Sequence, residues 1–266
     1  MNNQEKKELL KYYYLEKHYG QDKCAKLLGP GIGRTTIKKW LKEMNLPIRN
    51  FDEAKRTCRA YSYYKDITYF DKQTHNMAWC LGFLASDGTI ALNRNVIKIG
   101  LSAKDKEILE KIKIELKLEN NITEYTTNTG FDVVELSWTC KEHKNALARY
   151  GIIPQKTNYL KPPFALNEEY WLDYLRGYFD GDGCICLSNG NLYFSITSNT
   201  TEILEWFINW LYEKYDMPKV NINKDHNAYQ IRYSTNSAKK LYNLLYKDVN
   251  NLKLLRKYDK YTELIK

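Results

Sequence analysis

Asp87 and Asp182 are the residues of this chain best placed to do chemistry. Each stands just before a glycine at the end of a mainly apolar stretch, WCLGFLASDGTI at 79–90 and YLRGYFDGDGCI at 174–185. Sliding the sequence on itself by 95 residues superposes Gly82 on Gly177, Asp87 on Asp182, Gly88 on Gly183 and Ile90 on Ile185. The register then holds without a gap, so that EILE at 107–110 falls on EILE at 202–205, the mark of a duplicated structural unit. Gly82-x-x-x-Ser86 and Gly177-x-x-x-Gly181 put small side chains one turn apart on one helix face, where two backbones can approach closely. Helices packed through these faces bring the two carboxylates together at their C-terminal ends, where the helix already carries partial negative charge. Divalent cations would reverse the sign of that field. One Asp-Gly alone reads as a plain turn; two in register, each behind a small-residue helix, do not.

The surrounding pattern supplies elements to hold the pair. Each motif reads as a helix that stops at its glycine, taken as a left-handed terminator, and runs into a strand. Ile97, Ile99 and Leu101 alternate with Lys98, Gly100 and Ser102, and Leu192, Phe194 and Ile196 alternate with Tyr193, Ser195 and Thr197. Such strands turn one face to helices and leave the other polar. Second strand pairs at 121–138 and 219–234 turn near 128–130 and 225–227, with helices near 105–117, 141–150, 200–214 and 236–248. The expected fold class is α+β, with two pseudo-symmetric α-β-β-α-β-β-α repeats at 76–160 and 161–266, parted by Pro162 and Pro163.

The paired motifs resemble those of the LAGLIDADG homing endonucleases in their single-chain, two-motif form. Gly-Phe-Leu-Ala-Ser-Asp-Gly at 82–88 and Gly-Tyr-Phe-Asp-Gly-Asp-Gly at 177–183 match that signature from its third position onward, and the resemblance covers roughly residues 76–266. It implies that Asp87 and Asp182 are the metal-binding acids, with the backbone carbonyls of Ser86 and Gly181 as added ligands. It implies Mg²⁺, with Mn²⁺ able to substitute. The signature's earlier aspartate, which is not the catalytic one, is kept as Asp180 in the second copy and replaced by Ala85 in the first. A basic residue after the second strand pair, pointing to the active centre, falls on Lys156 and Lys257, 69 and 75 residues after the respective aspartates. A lysine there can stabilise charge on a scissile phosphate or order the attacking water.

The same resemblance implies a saddle of two sheets over double-stranded DNA. Its polar face bears Arg94, Lys98, Ser137, Asn191, Tyr193, Gln230, Arg232 and Ser234, groups that can read base edges in the major groove. An intron RNA maturase and a non-cutting DNA-binding regulator are the other readings that the scaffold allows.

Lys plus Arg total 41 against 32 Asp plus Glu, a formal charge of +9, which fits a polyanionic partner. Residues 1–50 read as a small all-α module with helices near 4–20, 21–28 and 34–44. The last turns Ile37, Trp40, Leu41 and Met44 to one side and Arg34, Thr35, Lys38, Lys39 and Lys42 to the other. This resembles a helix-turn-helix unit; a helical hairpin with a solvated basic face is the alternative. Residues 51–75 read as a basic, aromatic tether, either lying along phosphates or an ordinary linker. The six cysteines lack metal-site spacing and read as reduced thiols of a monomer in the cytoplasm of a bacterial or phage-infected cell, or in an organellar matrix. No apolar run approaches membrane-spanning length.

Overall fold

The computed structural model describes residues 2–50, 53, 65–247 and 252–264, and the chain divides into two units, Met1–Lys65 and Asp66–Lys266. In the first unit, α1 (Asn3–Lys11) opens on a reciprocal cap between Asn2 and Glu5 and continues as a wider π turn over Tyr12–Glu16. Helices α2 (Gln21–Leu28) and α3 (Arg34–Glu43) pack on it through Leu10, Tyr14, Cys24, Leu28, Ile37 and Leu41. Arg49 closes the module. Its guanidinium donates to the carbonyls of Tyr14 at 2.6 Å, Tyr19 at 3.3 Å and His18 at 3.4 Å, and lies 4.1 Å from the Tyr14 ring. These carbonyls end the first helical stretch, where a cation is favoured. Arg49 is therefore a clamp within the module. The tether's basic and aromatic residues Lys55, Arg56, Arg59, Tyr61, Tyr63 and Tyr64, Cys58, and all but Glu53 of the helical turn expected near 53–60 lie outside the described residues.

The second unit begins with Asp66; Tyr69 and Phe70 are buried in its core. One repeat comprises α4 (His75–Ser86), β1 (Gly88–Ile90), β2 (Val96–Ser102), α5 (Lys106–Glu115), β3 (Ile122–Thr126), β4 (Asp132–Thr139) and α6 (Lys141–Arg149). The other comprises α7 (Trp171–Asp182), β5 (Gly183–Ser188), β6 (Asn191–Ser198), α8 (Thr201–Tyr215), β7 (Asn223–Asp225), β8 (Ala228–Ser234) and α9 (Thr235–Tyr246). Two antiparallel sheets result, ordered β1-β2-β4-β3 and β5-β6-β8-β7, so the α+β expectation holds. A further helix, α10 (Leu255–Leu264), closes the described chain. Among the described residues, the cysteines at 24, 80, 140, 184 and 186 form no disulfide.

Helix α4 is buried without interruption from Met77 to Ala85, as befits a helix enclosed on all sides. At Gly82 and Gly177 it lies backbone to backbone against α7. A Cβ on Gly82 would fall on the carbonyl oxygen of Tyr174 and 2.7 Å from the Tyr178 nitrogen. A Cβ on Gly177 would fall on the carbonyl oxygen of Trp79 and 2.9 Å from the Phe83 nitrogen. Trp79 and Tyr174 are equivalent in the repeat, as are Phe83 and Tyr178, so the contact is reciprocal about a local two-fold.

Two sequence expectations need correction. Gly88 and Gly183 are not left-handed terminators; neither has a positive φ, and Gly183 is extended at φ −89° and ψ 159°. Glycine is required there for room, since a Cβ would meet the Leu84 or Phe179 carbonyl oxygen at 2.5 Å. Nor does the repeat register hold without a gap. Gly88 pairs with Ile99, whereas Gly183 pairs with Ile196, so the hairpin of the second repeat is two residues longer. The first repeat recovers them in the 3-10 turn Ala103–Asp105 before α5.

Gly177→Ala should therefore cost about 3 kcal/mol or more, since the added methyl meets backbone that cannot yield. Gly100→Ala, at an exposed position where a Cβ meets nothing within 4 Å, should stay within about 0.5 kcal/mol. Urea unfolding of the two variants measures the difference.

Candidate active site

The α4–α7 contact delivers both motif acids to one place. Asp87 caps α4, and its Oδ2 lies 2.7 Å from where a Cβ of Gly181 would stand. Asp182 is the last residue of α7. Burial, then the neighbouring Asp182, pushes the Asp87 carboxyl up to about 6, against the pull of Lys257 and Lys156. Burial also raises Asp182, opposed first by Lys156 and then by Lys257. Asp182 is the more exposed of the two, so water screens it more and Asp87 bears the larger strain.

Both expected lysines reach this centre and both are buried. Lys156 Nζ donates to the Ser86 carbonyl at 3.0 Å; Lys257 Nζ donates to the Gly181 carbonyl at 2.6 Å and to that of Phe179 at 2.8 Å. Each lysine thus seals the C-terminus of its own repeat's motif helix, where cations are favoured. Burial lowers both ammonium groups, with Lys257 brought down to about 8 although Asp180 and Asp87 oppose the shift. Ser86 and Gly181 keep a second lone pair on each carbonyl oxygen. The donor set is then two carboxylates and two carbonyls, all oxygen, which fits a hard cation such as Mg²⁺ and not a soft metal. Among the described residues no three His, Cys, Asp or Glu gather as a denser site. A pocket of about 100 Å³ opens beside the centre, lined by Ser86, Lys156, Asp182, Ser198 and Asn199 among others.

Asp180 has a larger role than its place in the motif suggests. Fully buried, it accepts hydrogen bonds from Trp79 Nε1 at 2.8 Å, the Leu254 amide at 3.1 Å and the Tyr246 hydroxyl. It ties α4, α9 and the segment that leads to Lys257, and Ala85 has no such function in the first repeat. Asp105 likewise binds Arg256 through both carboxylate oxygens, at 3.1 to 3.3 Å, and so links the first repeat to the residue before Lys257. In the sequence Asp180 is one acid of the motif and Asp105 stands between Lys104 and Lys106, and their partners lie 66 or more positions away.

The expected base readers fall on the sheet faces turned from the core. Lys98 stands opposite Ser137 on β2 and β4, and Tyr193 opposite Ser234 on β6 and β8. Gln230 and Arg232 share that second face, with the Arg232 guanidinium 5.3 Å from the Tyr193 ring. Arg94 is exposed in the β1–β2 turn, which Lys144 Nζ holds by three carbonyls at 2.7 to 3.0 Å; Asn191 begins β6. In the first unit, Arg34, Thr35, Lys38, Lys39 and Lys42 are exposed along α3, while Ile37, Trp40 and Leu41 are buried.

No protein-family model matches the chain. A stretch of 146 residues, 53% of the chain, is 27% identical to the DNA-directed RNA polymerase subunit Rpo1C of Methanocaldococcus jannaschii and spans 16% of that protein. Among solved structures, the homing endonuclease I-WcaI bound to its DNA recognition sequence superposes with a TM-score of 0.51 at 15% identity, covering 82% of this chain and 96% of that one. The I-LtrWI LAGLIDADG homing endonuclease bound to target DNA gives 0.47 at 15% identity, over 75% and 91%. The N-terminal LAGLIDADG domain of DUF199/WhiA gives 0.46 at 13% identity, over 70% and 86%. The likeness to I-WcaI is one of fold. Among the described residues no helix is long and apolar enough to cross a membrane.

The strain on Asp87 has a measurable sign. Its folded-state value near 6 stands above the ordinary aspartate value of 3.8, so the fold binds the proton more tightly and loses stability as pH rises through that window. Asp87→Asn should therefore stabilise the chain at pH 7.5 by roughly 2–3 kcal/mol, and the gain should vanish below about pH 4. Urea unfolding across this pH range is the check, and an unchanged or lowered stability at pH 7.5 would contradict the site's electrostatics.

Proposed function

We propose that the chain is a site-specific, metal-dependent double-strand DNA endonuclease of the homing type, acting as a monomer. The observation that carries this reading is the composite centre: two motif acids set end to end by backbone-contacting helices, each beside a buried lysine. A DNA-binding protein that does not cut has no need of a carboxylate pair held at the cost Asp87 bears.

Asp87, Asp182 and the carbonyls of Ser86 and Gly181 would hold Mg²⁺, with Mn²⁺ as a substitute. Such a cation polarises a phosphoryl oxygen and acidifies water. The chain's own groups supply the rest. Lys257, near 8, can exchange a proton with a water beside it or stand as an ammonium against developing phosphate charge. Lys156 has the equivalent place in the other repeat, so each lysine serves one strand. Lys98, Ser137, Tyr193, Gln230, Arg232 and Ser234, with Arg94 and Asn191 at the turns, lie along base edges in the major groove. The α3 face adds phosphate and base contacts beyond the sheets.

The test is strand-resolved cleavage, in Mg²⁺, of an end-labelled duplex recovered by binding selection. Asp182→Asn should leave the duplex bound and neither strand cut. Lys156→Met and Lys257→Met should slow opposite strands by about 10²–10⁴-fold. Full activity in Asp182→Asn would remove the site assignment, and equal slowing of both strands by each lysine variant would remove the division of labour. Replacing Lys38, Lys39 and Lys42 together with Ala should lower the slope of log affinity against log salt by about three units if each meets a phosphate. An unchanged slope and affinity would take the first unit off the DNA.

A further inference from the structure

The two sheets carry unlike side chains at the same lattice position. With Gly88 set on Gly183, strand pairing fixes the equivalences: Gly100 and Glu135 are opposite each other where Thr197 and Gln230 are in the second repeat. This is the row of the outward face nearest the motif acids. One row further out, Lys98 and Ser137 correspond to Ser195 and Arg232.

In both sheets a cation of the outer row is bonded to the inner side chain. Lys98 Nζ lies 3.0 and 3.3 Å from the Glu135 carboxylate oxygens, and Arg232 Nη2 donates to Gln230 Oε1 at 2.9 Å. The plan is shared and the chemistry is not. Glu135 can only accept, and Lys98 offsets its charge, so it can lie near a polyanion. Gln230 has its oxygen engaged by Arg232 and offers the amide hydrogens of Nε2, which donates to Thr197 Oγ1 at 3.5 Å. The cation also stands on β2 in one repeat and on β8 in the other, displaced sideways by one strand, about 4.8 Å. In the major groove an acceptor-only carboxylate selects the cytosine amino group, whereas a glutamine amide and an arginine fork select purines.

Resting on the DNA-reading role of these faces, we infer that Glu135 and Gln230 are the specificity-determining pair that makes the two halves of the target unlike at equivalent base steps. The half under the first repeat carries cytosine there, and the half under the second carries a purine. Lys98 positions Glu135, and Arg232 positions Gln230.

The experiment is selection of bound duplexes from a pool with a randomised core, in EDTA so that nothing is cut. The unaltered chain should enrich a site with two different halves. Glu135→Gln should move one column of one half from cytosine toward adenine by about tenfold or more, and leave the other half as it was. Gln230→Glu should move the equivalent column of the other half alone from a purine toward cytosine. Both substitutions are nearly isosteric at half-buried surface positions, so either variant suffices if the other folds poorly. A palindromic consensus, or variants that shift overall affinity with every column unchanged, would overturn the inference and leave the endonuclease proposal standing. Failure of the unaltered chain to enrich any duplex would overturn both.

Discussion

Direct backbone contact between α4 and α7 is the constraint on which the second unit depends. Two helices normally keep 8–10 Å between axes because side chains intervene. Here glycine at 82 and 177 removes that spacer, and the helix ends that follow have little freedom in where to go. The acids at those ends are pressed together although burial and mutual repulsion oppose it. The lysines answer by capping the helix carbonyls beside them, so charge within the centre is balanced across repeats rather than inside either one.

Much of this was legible from residue types at fixed spacing. The glycine, small-residue and aspartate positions recur with one period because each is used for the same steric or electrostatic reason in both copies. The strands were legible by alternation, and the third helix of the first unit by its apolar stripe. What escaped notice depends on distant partners. Asp180 reads in the sequence as an incidental motif acid, yet Trp79, Tyr246 and Leu254 converge on it. Arg49 stands out from the other basic residues by nothing in the sequence, yet three carbonyls hold it. The two extra residues of the β5–β6 hairpin were hidden because the first repeat restores the count before its next helix. A period that closes correctly at both ends says nothing of compensating shifts between.

Pseudo-symmetry here belongs to the backbone more than to the chemistry. The same frame holds a buried carboxylate hub at Asp180 and an alanine at Ala85. It places Lys257 in the first turn of α10, next to the segment that Asp180 holds through the Leu254 amide, where Lys156 sits on a short 3-10 turn. The sheets repeat a cation-to-acceptor bond with different members. Duplication supplied a scaffold whose halves could then diverge wherever packing did not forbid it.

Ser86 and Gly181 occupy equivalent positions that meet at the local two-fold, and there is room for one side chain between them. A Cβ on Gly181 would fall on the Ser86 hydroxyl, which itself donates back to the Phe83 carbonyl at 2.9 Å. Two copies of the first repeat brought together would set serine against serine in that space, and two copies of the second would leave it empty. One methylene and one hydroxyl thus give the repeats a preference for each other over themselves. During folding this disfavours like-with-like pairing of repeats from neighbouring molecules, a safeguard that a chain with two halves of one fold has particular need of.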